Sequence, residues 1–244
     1  MTVHLLAPAK LTWSLRVVGV RADGYHLIDA EMITLELADE LTIDDSLAPR
    51  LTLSGPFADG VPTDNSNLVL TALRLAGRTA SIHVVKLIPS GGGLGGGSTD
   101  AAAILRWAGI DDPAVAVQVG ADVPFCVAGG RARVTGIGEL IEPLPRADRI
   151  VTLVVPPFHV STPAVYRAWD DLGGPTADGP NDLELAAIAV ESRLATWRDR
   201  IAELTGVTPV LAGSGATWFV EGDHAAALAA IEHDAAVIVA RTES

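Results

Sequence analysis

The stretch Pro89-Ser90-Gly91-Gly92-Gly93-Leu94-Gly95-Gly96-Gly97-Ser98-Thr99-Asp100 decides how this chain is read. Six glycines in the seven positions 91–97 are costly as ordinary structure, because each loses more backbone freedom on folding than any other residue. The cost makes sense where backbone must curl closely around a ligand. A helix is expected to open at Ser98-Thr99-Asp100 and run to Ala108, and free N–H groups at its start add partial positive charge beside the glycines. A polyphosphate suits that cradle. A Walker A loop does not fit, since it ends in Gly-Lys-Ser/Thr and no lysine is present. Gly91, Gly93 and Gly96 formally match G-x-G-x-x-G, but a dinucleotide site needs a second strand before its acidic residue. Asp111 and Asp112 follow the helix directly. A flexible linker is also a poor fit, because an apolar strand at 81–87 and a good helix flank the glycines.

Working outward, residues 3–18 alternate as a strand with a break or bend at Pro8, and 30–37 and 40–44 read as two strands divided by Asp39-Glu40. A strand at 49–54, a helix at 67–75 stopped by Gly77, a short helix at 113–118 and strands at 131–135 and 139–143 follow. The turn Pro143-Leu144-Pro145-Arg146 is the expected domain boundary, giving domains 1–146 and 147–244. Beyond it come a strand at 150–155, a helix at 162–170, one or two helices over 181–204, strands at 208–211 and 216–220, a helix at 223–232 and a strand at 236–240. This alternation predicts an α+β fold, helices layered on antiparallel or mixed sheets.

Composition narrows the function. The chain has 244 residues, 49% of them hydrophobic, enough for a full core. No apolar run reaches the roughly 18 residues of a membrane span, and the N-terminus lacks the pattern of a signal peptide. One cysteine, Cys126, precludes an internal disulfide and suits a reducing cytoplasm; between Phe125 and Val127 it reads as a small buried apolar residue. A net charge of −13 argues against nucleic-acid binding, since no basic stripe exists to displace phosphate counterions. Of 17 Lys plus Arg, only Lys10 and Lys86 are lysines, so a compact ammonium is expected to matter at both. His4, His83, His159, His224 and His233 show no metal-ligand spacing, and no protein metal site is expected.

The glycine run followed by Asp100-Ala101-Ala102 resembles the ATP-binding motif of the GHMP kinases (galactokinase, homoserine kinase, mevalonate kinase, phosphomevalonate kinase). Two further family motifs have counterparts in order, Ala7-Pro8-Ala9-Lys10-Leu11 and Leu211-Ala212-Gly213-Ser214-Gly215-Ala216. The resemblance therefore runs along the whole chain. It implies an N-terminal ATP-binding α+β domain, a ferredoxin-like C-terminal α+β domain, and an active site in the cleft between them. Arg21-Ala22-Asp23-Gly24-Tyr25-His26, Gly120-Ala121-Asp122-Val123-Pro124-Phe125 and Asn181-Asp182-Leu183-Glu184 resemble one branch of the family. Its acceptor is a methylerythritol carrying a cytidine diphosphate group, phosphorylated on a hydroxyl in the non-mevalonate route to isoprenoids. A kinase for another alcohol, and a nucleotide binder without catalysis, stay open beside it.

The resemblance assigns roles residue by residue. Asp122 becomes the carboxylate near the acceptor hydroxyl and Lys10 the cation that keeps it ionised, although Asp122 also suits a turn before Pro124. Pro89, Gly91, Gly92, Gly93, Leu94, Gly95, Gly96, Gly97 and Ser98 form the cradle for ATP, with Ser98 bonding a phosphate or helping to order Mg²⁺. Lys86 falls at the edge of the nucleotide site, where a solvated strand-end lysine is the plain alternative. Asn67 falls at the adenine end, where a helix cap is equally apt. Thr12, Tyr25, His26, Tyr166, Gly213 and Ser214 are assigned to the acceptor; a surface position explains Tyr166 otherwise. The family's first motif usually continues Pro-x-Lys-x-Asn, and position 12 is here a threonine, a hydroxyl in place of an amide.

Overall fold

The protein is described by a computed structural model covering residues 1–243. Two 19-residue strands, β1 (Thr2–Val20) and β2 (His26–Asp44), form a long antiparallel hairpin. The chain continues through β3 (Arg50–Ser54), α1 (Leu68–Leu75), β4 (Ser81–Val85), α2 (Gly96–Trp107), α3 (Pro113–Ala116), α4 (Val123–Ala128), β5 (Arg131–Gly136) and β6 (Leu140–Pro143). β1 takes one edge of β2. On the other edge β4 pairs with residues 40–44 and β5 with residues 28–33. β3 joins β4 in parallel and β6 joins β5, completing a six-stranded sheet.

The second sheet gathers β7 (Ile150–Val155) and, after α5 (Thr162–Asp171), α6 (Glu184–Val190) and α7 (Arg193–Thr205), the strands β8 (Val210–Leu211) and β9 (Trp218–Glu221). The helix α8 (Ala225–Leu228) and a 3₁₀ turn over 229–231 lead into β10 (Ala236–Arg241). The order is β10-β7-β9-β8, antiparallel throughout.

Two cores result, and β1 serves both. Its register shifts between Pro8 and Lys10, Thr12 and Ser14, and Val17 and Gly19. Ala7, Leu15 and Val17 enter the helix-covered core with Ala101–Leu105 of α2, whereas Ala9 and Leu11 join Ile33, Leu35, Val151, Leu153 and Phe219 between the two sheets. Lys10 and Thr12, alternating with Ala9 and Leu11, therefore turn the other way. That direction leads to the site.

Four points in the sequence reading need correction. Asp39-Glu40 does not divide β2, because the buried Asp39 carboxylate is satisfied by distant partners and the strand runs straight through. α2 opens at Gly96, two residues before Ser98, with left-handed Gly95 as its cap residue, so Ser98 lies inside the first turn and does not cap. α4 follows Asp122 with Pro124 in its first turn, a helix that the sequence reading did not expect, a turn at Asp122 being only the alternative to its catalytic role. The expected helix at 223–232 is also split into α8 and the 3₁₀ turn.

Candidate active site

The glycine run is anchored by what lies between its glycines. Ile88 and Leu94 are fully buried in the core between the sheets. The Leu94 carbonyl accepts from the Lys10 N–H at 3.1 Å, and the Gly92 carbonyl from the Thr217 N–H at 3.1 Å. Thr99 Oγ1 donates to the Pro8 carbonyl at 2.6 Å, tying the first turn of α2 to β1. Gly95 sits at φ +72°, and a Cβ there would lie 2.7 Å from Lys10 Cγ. Gly93, at φ +82°, leaves only 2.6 Å between such an atom and the Ala212 carbonyl oxygen. Gly95→Ala is therefore expected to push Lys10 aside and lower kcat about tenfold, equivalent to about 1.4 kcal/mol. Steady-state kinetics beside a thermal melt checks that the loss is catalytic and not a loss of fold.

Lys10 Nζ reaches Asp122 Oδ2 at 3.1 Å and Thr12 Oγ1 at 3.2 Å. Lys10 and Thr12 are buried, while the Asp122 side chain keeps 34% of its surface open. Asp122 precedes α4 yet makes no side-chain capping bond, which leaves its carboxylate to Lys10 and the cleft. Gly213 closes the opposite wall at φ +61°, where a Cβ would stand 3.5 Å from Thr12 Oγ1. Ser214 shares a 2.7 Å hydrogen bond with Thr162. Asn181, which the sequence reading quoted but gave no role, donates to the Leu211 and Gly213 carbonyls at 2.9 and 2.7 Å and so holds that wall in place.

Lys86 is not the solvated strand-end residue that was one reading of it. It is 2% exposed, and its ammonium pairs with Asp39 and, at 2.5 Å, with Asp100. Asp39 Oδ1 also accepts from the Leu87 and Ile88 N–H groups at 2.6 and 2.8 Å. One buried cluster thus grips the glycine run at both ends, residues 86–88 on entry and Asp100 in α2 on exit. Burial pushes the Asp100 carboxyl up to about 7, with the Lys86 ammonium opposing and the Asp39 carboxylate adding to the rise. Cys126 is buried as expected, and burial first, then Asp122, pushes its thiol up to about 12.

At the far end, His26 lies against Tyr166 with ring centroids 4.6 Å apart, and edge-on to Trp169 at 5.6 Å. His26 Nε2 meets Asp170 Oδ1 at 2.9 Å. Burial, then the Asp122 charge, raises the pKa of the Tyr166 phenol, so Tyr166 is no freely exposed surface residue. Tyr25 stands at the rim, 57% exposed, with the Arg21 guanidinium 5.3 Å from its ring centre. Trp169 and Asp170 were missed in the sequence. Their signal is the helical spacing from Tyr166, three and four positions on, which puts all three on one face of α5.

These groups share one space. A cavity of about 700 Å³ is lined by Lys10, Thr12, Tyr25, His26, Ser98, Asp122, Tyr166, Gly213, Ser214 and Gly91, Gly93 and Gly95–Gly97. A second cavity, of about 370 Å³, lies against the same glycines and is lined also by Gly92, Leu94, Asn67, Lys86 and Pro89. All the residues singled out in the sequence border one space or the other. Asn67 does cap α1, its Oδ1 accepting from Val69 N–H at 2.9 Å while its Nδ2 donates to the Pro62 carbonyl. Among the described residues no cluster of three or more His, Cys, Asp or Glu could hold a metal ion, and no helix is long and apolar enough to cross a membrane.

Comparison with known proteins decides the lineage. The chain is 41% identical to the 4-diphosphocytidyl-2-C-methyl-D-erythritol kinase of Paracoccus denitrificans over 236 residues, covering 87% of this chain and 84% of that one. It belongs to the 4-diphosphocytidyl-2-C-methyl-D-erythritol kinase family. A crystal structure of 4-(cytidine 5'-diphospho)-2C-methyl-D-erythritol kinase superposes with a TM-score of 0.78 at 30% identity, spanning 99% of this chain and 100% of that one. The mevalonate kinase of Methanococcus jannaschii, 12% identical, matches with a TM-score of 0.64 over 100% of this chain and 98% of its own, which extends the likeness in fold alone. No protein-family model matches the chain. This member of the kinase family is a small-molecule kinase with the α+β fold of the GHMP kinases.

Proposed function

We propose that the protein transfers the γ-phosphate of ATP to a hydroxyl of 4-diphosphocytidyl-2-C-methyl-D-erythritol, in the cytoplasm and without nucleic-acid or membrane partners. One observation carries this reading: the Lys10–Asp122 pair lies in a single cavity between the glycine run and the His26–Tyr166 stack. In this reading the division into 1–146 and 147–244 sets the two walls of the cleft, β1, α2 and α4 on one side and α5 with the 213–214 loop on the other.

The nucleotide occupies the smaller cavity, its base toward Asn67 and its phosphates against the N–H groups of 91–98. The cytosine of the acceptor stacks at Tyr166 and His26, under Tyr25, and its methylerythritol end reaches Asp122. Asp122 accepts the hydroxyl proton as the oxygen attacks the γ-phosphorus, the bond from that phosphorus to the β,γ-bridging oxygen breaks and ADP leaves with the oxygen, and Lys10 neutralises charge gathering on the transferred group. Thr12 helps to hold the Lys10 ammonium, its hydroxyl oxygen accepting from Nζ at 3.2 Å. Mg²⁺ fits here without a dedicated cage, because that ion is commonly held by substrate phosphates and one or two protein oxygens. Ser98, half-buried and facing the cavity, would hold it together with the phosphates, and the ion supplies charge neutralisation.

The test follows ADP release with 4-diphosphocytidyl-2-C-methyl-D-erythritol, mevalonate and homoserine in turn. Turnover is expected with the first alone. Release of ADP only with one of the other two would overturn the acceptor assignment.

A further inference from the structure

Away from this cleft, a cavity of about 470 Å³ opens between the start of β3, α1 and the approach to β4. Its floor is apolar, made by Leu51, Leu70 and Leu73, and its rim carries Arg50, Arg74 and Arg78. No acidic residue lines it, in a chain with 30 Asp and Glu against 17 Lys and Arg. Most arginines here hold a carboxylate, as Arg133 holds Asp29 and Arg193 holds Glu191. Among the described residues the three at this rim hold none within 4.0 Å. Arg74 donates only to the Thr71 hydroxyl at 3.1 Å and the Asn65 carbonyl at 3.4 Å, and Arg78 lies over the Trp107 ring at 5.6 Å.

Three like charges around one hollow repel each other unless an anion sits between them. Guanidinium forks match phosphate oxygens in pairs, and most of their donors here remain free. The leucine floor adds a second requirement, since a bare inorganic ion would leave it wet. A volume of about 470 Å³ also falls within the range of small-molecule sites, about 300–1,000 Å³. We propose that this cavity binds a small organic diphosphate, its head held by Arg50, Arg74 and Arg78 and its short apolar chain on Leu51, Leu70 and Leu73. The site is separate from the glycine cleft and does not depend on the acceptor assigned above.

The test titrates n-pentyl diphosphate, and separately inorganic pyrophosphate, into the full chain by calorimetry at low salt. The cleft is saturated beforehand with a non-hydrolysable ATP analogue and cytidine diphosphate. n-Pentyl diphosphate is expected to bind more tightly than pyrophosphate. Arg74→Ser and Arg78→Ser should each weaken it at least about tenfold, the factor for one lost charge-assisted hydrogen bond. Arg146→Ser, an arginine outside this cavity, should leave binding unchanged. Absence of binding, indifference to Arg74 and Arg78, or an equal loss in Arg146→Ser would overturn the site. Equal affinity for the two probes would overturn the part played by the leucine floor.

Discussion

Lys86→Met is expected to destabilise the fold by about 3–5 kcal/mol and to lower the melting temperature by roughly 10 °C. Among the described residues Lys86 is the one cation paired with the two buried carboxyls Asp39 and Asp100, so its loss removes the only opposing charge from that cluster. Methionine fills nearly the same volume, which keeps a packing void from explaining the result. The pH dependence identifies the cause. Asp100 already binds its proton more tightly in the folded protein than the ordinary carboxyl value of 3.8. A carboxyl raised in this way favours the folded state at low pH, and that preference is lost as pH rises from about 4 towards its folded value near 7. Without the Lys86 ammonium that opposes the rise, Asp100 binds its proton more tightly still in the folded state. The deficit of Lys86→Met should therefore be greatest at neutral pH and above, and shrink on acidification towards pH 5. Chemical denaturation at several pH values measures it. A deficit that does not change with pH would mean that Lys86 matters through packing alone. Because the cluster holds residues 86–88 and 100, the folded fraction of Lys86→Met should also show a raised KM for ATP.

What could be read in the sequence was whatever lies in short contiguous motifs. The glycine run, Lys10 and Asp122 each stand among neighbours that state their use, and the structure gathers them within one cavity. Most helices and strands followed from periodicity and turn residues. Asp39 could not be read in the same way. A charged pair inside an apolar strand looks like a turn, and its meaning comes from Lys86, 47 residues away, and from two N–H groups beside it. Solvated lysine and buried ion-pair lysine likewise give the same letter at a strand end. α4 escaped because six residues carry too little periodicity, although Pro124 in its first turn was a usable start signal. Trp169 and Asp170 were within reach, because Tyr166 fixes the face of α5 on which they fall.

Asp122→Asn is expected to lower kcat at least about 100-fold while leaving KM for ATP close to the wild-type value. The amide keeps the size of the side chain and one acceptor oxygen, but it cannot take a proton from the acceptor hydroxyl. Asp122 makes no capping bond to α4 and is partly open to the cleft, so the fold has little reason to respond. The glycine run is held by other contacts, through Leu94, Gly92 and Thr99, and nucleotide binding should survive. Lys10→Met should cost a similar factor, because Lys10 Nζ lies 3.1 Å from the carboxylate and would neutralise the same developing charge. The double variant separates this reading from two independent contributions. Residues that act as a unit lose their effect once, so Lys10→Met combined with Asp122→Asn should be about as slow as either alone. A product of the two factors would mean that they act separately. Near-normal turnover of a folded Asp122→Asn protein would remove Asp122 from the proton-accepting role, leaving the pair as a structural ion bridge at the floor of the cleft.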